Sequence, residues 1–123
     1  MGTLLIVDDY LPNLVALELV LEQLPHGVVR ALSGQEALRI TDAMDLTLIL
    51  TDLKMKGLSG ADFCARVRGG SRNRDVPIII LSGVEPDDPA LSPMLRLEAV
   101  RFVQKPYQSE QLLAQVAALM RPG

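Results

Sequence analysis

Five short, mostly apolar runs recur along the chain, Leu4–Val7, Val28–Leu32, Leu46–Thr51, Ile78–Leu81 and Val100–Gln104, each followed by a segment with helical character. Runs of four to six residues, rich in Val, Ile and Leu and bounded by turn-forming residues, are too short for core helices and read as buried strands. Strict alternation of such strands with helices demands a parallel sheet with right-handed crossovers and helices on both faces. At 123 residues there is material for one such three-layer domain, residues 1–123, and not for two. The expected sheet order is 2-1-3-4-5, which places the carboxyl ends of strands one and three side by side at a switch point.

The intervening segments carry their own signals. Leu14, Leu17, Leu21 and Leu24 recur at helical spacing, with Glu18 and Glu22 off the stripe, predicting a helix over Leu11–Leu24 that opens on Pro12 and stops at Pro25-His26-Gly27. Ser33 and Glu36 form a capping-box pair for a helix over Gly34–Met44. A third helix spans Gly60–Arg68, with Phe63 and Val67 facing the core and Cys64 beside them as a small packing residue. Pro86, Pro89 and Pro93 restrict the fourth helix to a short piece ending near Leu97. The last runs from about Ser109, its expected N-cap, to Met120, so that Arg121-Pro122-Gly123 falls just past it.

Several function classes are excluded by composition. A net charge of −3 and a near absence of aromatic residues argue against direct nucleic-acid binding. No apolar run approaches the roughly 18 residues needed to cross a bilayer. No basic segment precedes Leu4–Val7, which reads as a strand and not as a signal peptide. The single cysteine excludes an internal disulfide and fits a reducing, cytoplasmic setting. The single histidine, His26, lies in a turn, leaving no His-His metal site.

The strand ends hold the chemistry. The first ends in Asp8-Asp9 and the third in Asp52, so the expected topology converges three carboxylates from positions more than forty residues apart. Such a cluster repels itself and raises at least one pKa unless a cation intervenes, and oxygen ligands of this kind suit Mg²⁺. The fourth strand ends in Ser82-Gly83, a hydroxyl with room beside it, and the fifth in Lys105-Pro106, an ammonium; both groups suit phosphoryl oxygens.

With these residues placed, the chain resembles, over essentially its whole length, the receiver domain of two-component response regulators, whose α/β fold is a flavodoxin-like (βα)5 sandwich. The matching motifs are the acidic pair in LLIVDD, the acceptor in LILTDLKMKG, the pair in IIILSG and the KP step in FVQKP. The resemblance implies that Asp52 takes a phosphoryl group from a histidine kinase or histidine phosphotransfer protein in a Mg²⁺-dependent reaction. Asp9 would bind Mg²⁺ directly, Asp8 mainly through water, and the backbone carbonyl of Lys54 would join Asp52 in completing the protein ligands. Ser82 and Lys105 would hold the phosphoryl oxygens, and Ser82 with Phe102, three residues before Lys105, would form the switch. The helix 4, strand 5, helix 5 face would then control an output domain or partner protein, or pair two copies as a homodimer. Such a domain assists its own phosphorylation and dephosphorylation and is a signalling module more than an enzyme.

Departures from the pattern are visible. Lys56 stands where the family usually has Pro, and Glu98 where relatives often have a helix-ending Gly. Lys54 and Val84 occupy the two positions at which the family tunes dephosphorylation, and are expected to slow water attack here. One alternative is a phosphorylation-independent interaction module on the same fold. Another is a phosphohydrolase with an Asp nucleophile, which needs a second Asp two residues on; that position is Lys54.

Overall fold

A computed structural model describes residues 2–120, so the Arg121-Pro122-Gly123 ending lies outside the described residues. Strands β1 (Thr3–Val7), β2 (Gly27–Ala31), β3 (Leu48–Asp52), β4 (Ile78–Ser82) and β5 (Val100–Gln104) alternate with helices α1 (Leu11–Leu21), α2 (Gly34–Ala43), α3 (Gly60–Gly69), α4 (Ser92–Leu95) and α5 (Ser109–Leu119). The strands form one parallel sheet in the order β2-β1-β3-β4-β5, as the alternation predicts.

The near-continuous apolar character of the strands has its reason in this sheet, since both faces are covered. Leu5, Val7, Ile49, Ile78 and Ile80 pack on one side with Phe63, Cys64, Val67, Leu91 and Met94. Leu4, Ile6, Leu48, Leu50, Ile79 and Leu81 pack on the other with Leu14, Leu17, Leu21, Leu112 and Val116. Burying side chains of this size stabilises the fold by about 1.5–3 kcal/mol each before conformational entropy is counted. No helix among the described residues is long and apolar enough to cross a membrane.

Local chemistry sets the helix ends. In α2, Ser33 accepts from the Glu36 N–H at 3.0 Å, while the Glu36 carboxylate accepts from the N–H of Leu32 at 2.9 Å, one residue earlier than a capping box would place it. Helix α1 stops at Leu21, three residues short of the expected end. Pro25 disfavours helical geometry at Leu24, whose N–H turns to the Leu21 carbonyl in a tight final turn. Ser109 is the first residue of α5 and not its cap; Gln108 holds that position without a side-chain bond. Helix α4 is a single turn, in keeping with the prolines around it. The left-handed residue before β5 is Ala99, φ 59°, while the Arg68 guanidinium secures the preceding Glu98 carbonyl at 2.8 Å.

Two polar side chains tie loops to the scaffold. Asn73, left-handed at φ 63°, accepts from the Leu46 N–H at 2.8 Å and donates to the Thr41 and Met44 carbonyls at 2.8 and 2.9 Å. It thereby satisfies backbone groups left open where α2 ends and the chain turns into β3. His26 is a turn residue as expected, and its Nδ1 accepts from the Gly2 N–H at 2.8 Å.

Candidate functional site

Register places the acids. Val7 of β1 pairs with Thr51 of β3, so Asp8, just past β1, and Asp52, the last residue of β3, come side by side at the carboxyl edge of the sheet. Asp8, Asp9 and Asp52 each bring one carboxylate oxygen into a group whose members all lie within 4.8 Å of one another. All three donors are hard, anionic oxygens, which fit a divalent cation such as Mg²⁺ and suit no softer metal as well.

Each carboxylate is held differently. Asp8, buried, accepts from the Tyr10 N–H at 2.9 Å and from the Asn13 side-chain amide at 3.0 Å, and the Lys105 ammonium approaches it to 3.4 Å. Asp8 thus secures the turn into α1 and belongs to the acidic cluster at once. Asp52 is half-buried and accepts from the Leu53 N–H at 2.7 Å. Burial pushes its pKa above the ordinary carboxylate value; the nearby Lys105 charge pulls it back, Asp8 adds to the rise, and the Leu53 and Lys54 N–H groups lower it. The rise expected of a carboxylate cluster is present, with desolvation and not mutual repulsion as its leading cause. Asp9 is exposed and accepts from the Lys56 N–H at 3.0 Å.

The structure brings Lys105 to this group and leaves the other candidates on the neighbouring strands and loops. Lys105 follows β5 and donates its own N–H to the Ser82 carbonyl at 2.8 Å, so the ends of β4 and β5 are joined just beside the acids. The Lys105-Pro106 peptide bond is cis. Ser82 is buried at the end of β4, next to Leu81, which pairs with Asp52. Lys54 is exposed two residues past Asp52. Phe102 and Val84 are half-buried against the core cluster that contains Leu91 and Met94, on the sheet face away from α1 and α5.

A cavity of about 410 Å³ is lined by Asp8 and Asp52 of the cluster and by Lys105, together with Asn13, Ala16, Leu17, Pro106 and Tyr107. Asn13 was not evident from sequence, since nothing in an amphipathic helix pattern says that one polar residue of its first turn reaches back to a strand end. Gly60 was also silent. A Cβ there would lie 2.5 Å from the Asp52 carbonyl oxygen and 2.9 Å from the Leu53 Cα, so α3 begins in contact with the backbone that carries Asp52. Gly57, at φ 78°, lets the intervening loop turn.

Comparison with known proteins gives a consistent result. A family model described as "Response regulator receiver domain" matches residues 4–117. The transcriptional regulatory protein AfsQ1 of Streptomyces coelicolor is 33% identical over 123 residues, all of this chain and 53% of that protein. The chain thus spans about half the length of the curated relatives it matches. Among solved structures, a putative response regulator from Chloroflexus aurantiacus superposes with a TM-score of 0.87 at 31% identity, covering 97% of each chain. The receiver domain of a sensor histidine kinase from Pseudomonas aeruginosa, solved with a magnesium ion coordinated in its active-site cleft, has a TM-score of 0.87 at 22% identity, covering 97% of each chain, which shows a shared fold.

Proposed function

The chain belongs to the response regulator receiver family, and on that footing we propose that Asp52 accepts a phosphoryl group from a histidine kinase or a histidine phosphotransfer protein. The observation that carries this is the convergence of Asp8, Asp9 and Asp52 at one sheet edge, with Lys105 reaching into the same group. Asp8, Asp9, Asp52 and the Lys54 carbonyl would hold Mg²⁺. When bound, the ion supplies positive charge against the oxygens of the transferred group.

The side chains do the rest by position. An Asp52 carboxylate oxygen forms the new bond to phosphorus while the bond from phosphorus to the donor imidazole nitrogen breaks, its electron pair returning to that nitrogen. No general base is needed, because the nucleophile is already a carboxylate, which Lys105 favours against the burial of Asp52. Lys105 would move from Asp8 to a phosphoryl oxygen, and the Ser82 hydroxyl would donate to another. Withdrawal of Ser82 towards the site changes what Phe102 packs against, since Phe102 pairs with Ile80, two residues before Ser82. The readout would pass through the face formed by α4, β5 and α5 to an output domain or partner, or to a second copy of the chain.

Residues 1–123 would act as a single receiver domain. The experiment is phosphorylation by acetyl phosphate with Mg²⁺, followed by intact mass. One added phosphoryl group is expected in the wild type, none with EDTA and none in Asp52→Asn. Equal labelling of Asp52→Asn would overturn Asp52 as acceptor, and no labelling of the wild type would leave the phosphorylation-independent module as the better reading.

A further inference from the structure

Of the three clustered carboxylates, Asp9 has the least reason to stay. Asp8 and Asp52 are withdrawn from solvent and held by neighbours in sequence or by Lys105, whereas Asp9 is exposed and lies beside two like charges. An exposed Asp side chain in that setting relieves repulsion by rotating into water. In the structure it remains, and its carboxylate accepts from the Lys56 backbone N–H, 3.0 Å from Oδ2 and 47 residues away in sequence. The bond joins the β1–α1 loop to the β3–α3 loop, the two loops that follow the acids.

We propose that the Lys56 backbone N–H is a positioning group that keeps Asp9 in the cluster before any cation arrives, so that the site binds Mg²⁺ without first recruiting this ligand from solvent. The inference rests on the acidic cluster being a cation site. The donor is the amide and not the lysine side chain, which gives the idea a sharp consequence: any residue with an N–H serves at position 56 except proline. Partners that orient a metal ligand typically alter metal affinity by about 10–100-fold, and an exposed one belongs at the low end. Linkage also requires that cation binding strengthen the contact in return.

The test is Mg²⁺ titration by calorimetry on the whole chain as wild type, Lys56→Ala and Lys56→Pro. Lys56→Pro should bind roughly tenfold more weakly, while Lys56→Ala, which keeps the N–H, should match the wild type. A second readout needs neither proline nor phosphorylation: amide hydrogen exchange at Lys56 should be protected in the apo wild type, more so with Mg²⁺, and unprotected in Asp9→Ala. Equal Mg²⁺ affinity of Lys56→Pro and wild type, or exchange at Lys56 indifferent to Asp9, would overturn the proposal while leaving the cation site standing. A wild type without Mg²⁺ affinity would remove the cation reading and the proposal together.

Discussion

Replacing Gly60 by alanine sets two known effects against each other at one position. As a helix residue, Gly→Ala should stabilise by about 0.5–1 kcal/mol, through propensity and a less free unfolded chain. The added methyl, however, would lie 2.5 Å from the Asp52 carbonyl oxygen and 2.9 Å from both the Cα and the carbonyl oxygen of Leu53, all backbone atoms that cannot rotate away. Forcing a methyl into filled space costs about 1–3 kcal/mol. If α3 retreats instead, the 2.9 Å bond from the Gly60 N–H to the Leu53 carbonyl is lost, at about 0.5–1.5 kcal/mol. On balance the clash outweighs the gain, with a net loss of up to about 2.5 kcal/mol and a Tm lower by up to roughly 10 °C. Gly69, at the other end of the same helix, is the internal control, because a Cβ there meets nothing within 4 Å. Gly69→Ala should gain up to about 1 kcal/mol. Urea denaturation of both variants reads the stabilities, and Mg²⁺-dependent acetyl phosphate labelling reads the site. A displacement of the Asp52 backbone should slow labelling of Gly60→Ala well beyond any loss of folded protein. A Gly60→Ala protein as stable as Gly69→Ala would refute the close approach.

Two further outcomes are expected. Asn73→Ala removes three hydrogen bonds and places alanine at positive φ, for a loss of about 2–4 kcal/mol by denaturant titration; Asn73→Gly, which keeps the conformation without strain, should lose about 1 kcal/mol less. The buried Cys64 thiol, its pKa pushed up to about 12 by burial, should resist iodoacetamide until the protein unfolds. Because its folded pKa is the higher one, its contribution is whole below pH 9 and is lost as pH rises towards 12, so the stability difference between wild type and Cys64→Ala should shrink by a few kcal/mol across that window.

Strands and acids were readable in the sequence because each carries its signal locally. Every apolar run became a strand within two residues of its expected ends, and the 2-1-3-4-5 order then followed from chain length and crossover handedness. Ser33 and Pro12 announced helix starts by short-range chemistry and occupy them. What escaped was whatever depends on two distant segments meeting. Asn73 looks like an ordinary loop residue until it is seen reaching the end of α2; Gly60 looks like any glycine near a helix start until β3 lies against it. Lys56 stands out in the sequence as a missing proline. The amide that proline would have lacked ties that loop to Asp9, a contact that sequence comparison alone does not carry.

The charges of the site suggest why its parts should act in sequence. Three carboxylates facing one ammonium leave two negative charges uncompensated at the sheet edge, in a setting where Asp52 is already short of water. A divalent cation held by these carboxylates would offset that excess and weaken the repulsion that an incoming phosphoryl group would otherwise meet. On the proposed reading, a phosphoryl group on Asp52 would then restore negative charge near Lys105 and draw the ammonium away from Asp8. On that reading, cation affinity and phosphoryl acceptance are coupled through Lys105. Lys105→Met should therefore weaken phosphorylation while strengthening Mg²⁺ binding before it, since the cluster loses a competitor for the cation. Calorimetry and acetyl phosphate labelling on that variant report the two effects separately. A fall in both would mean that Lys105 holds Asp8 in place for the cation and does not compete with it.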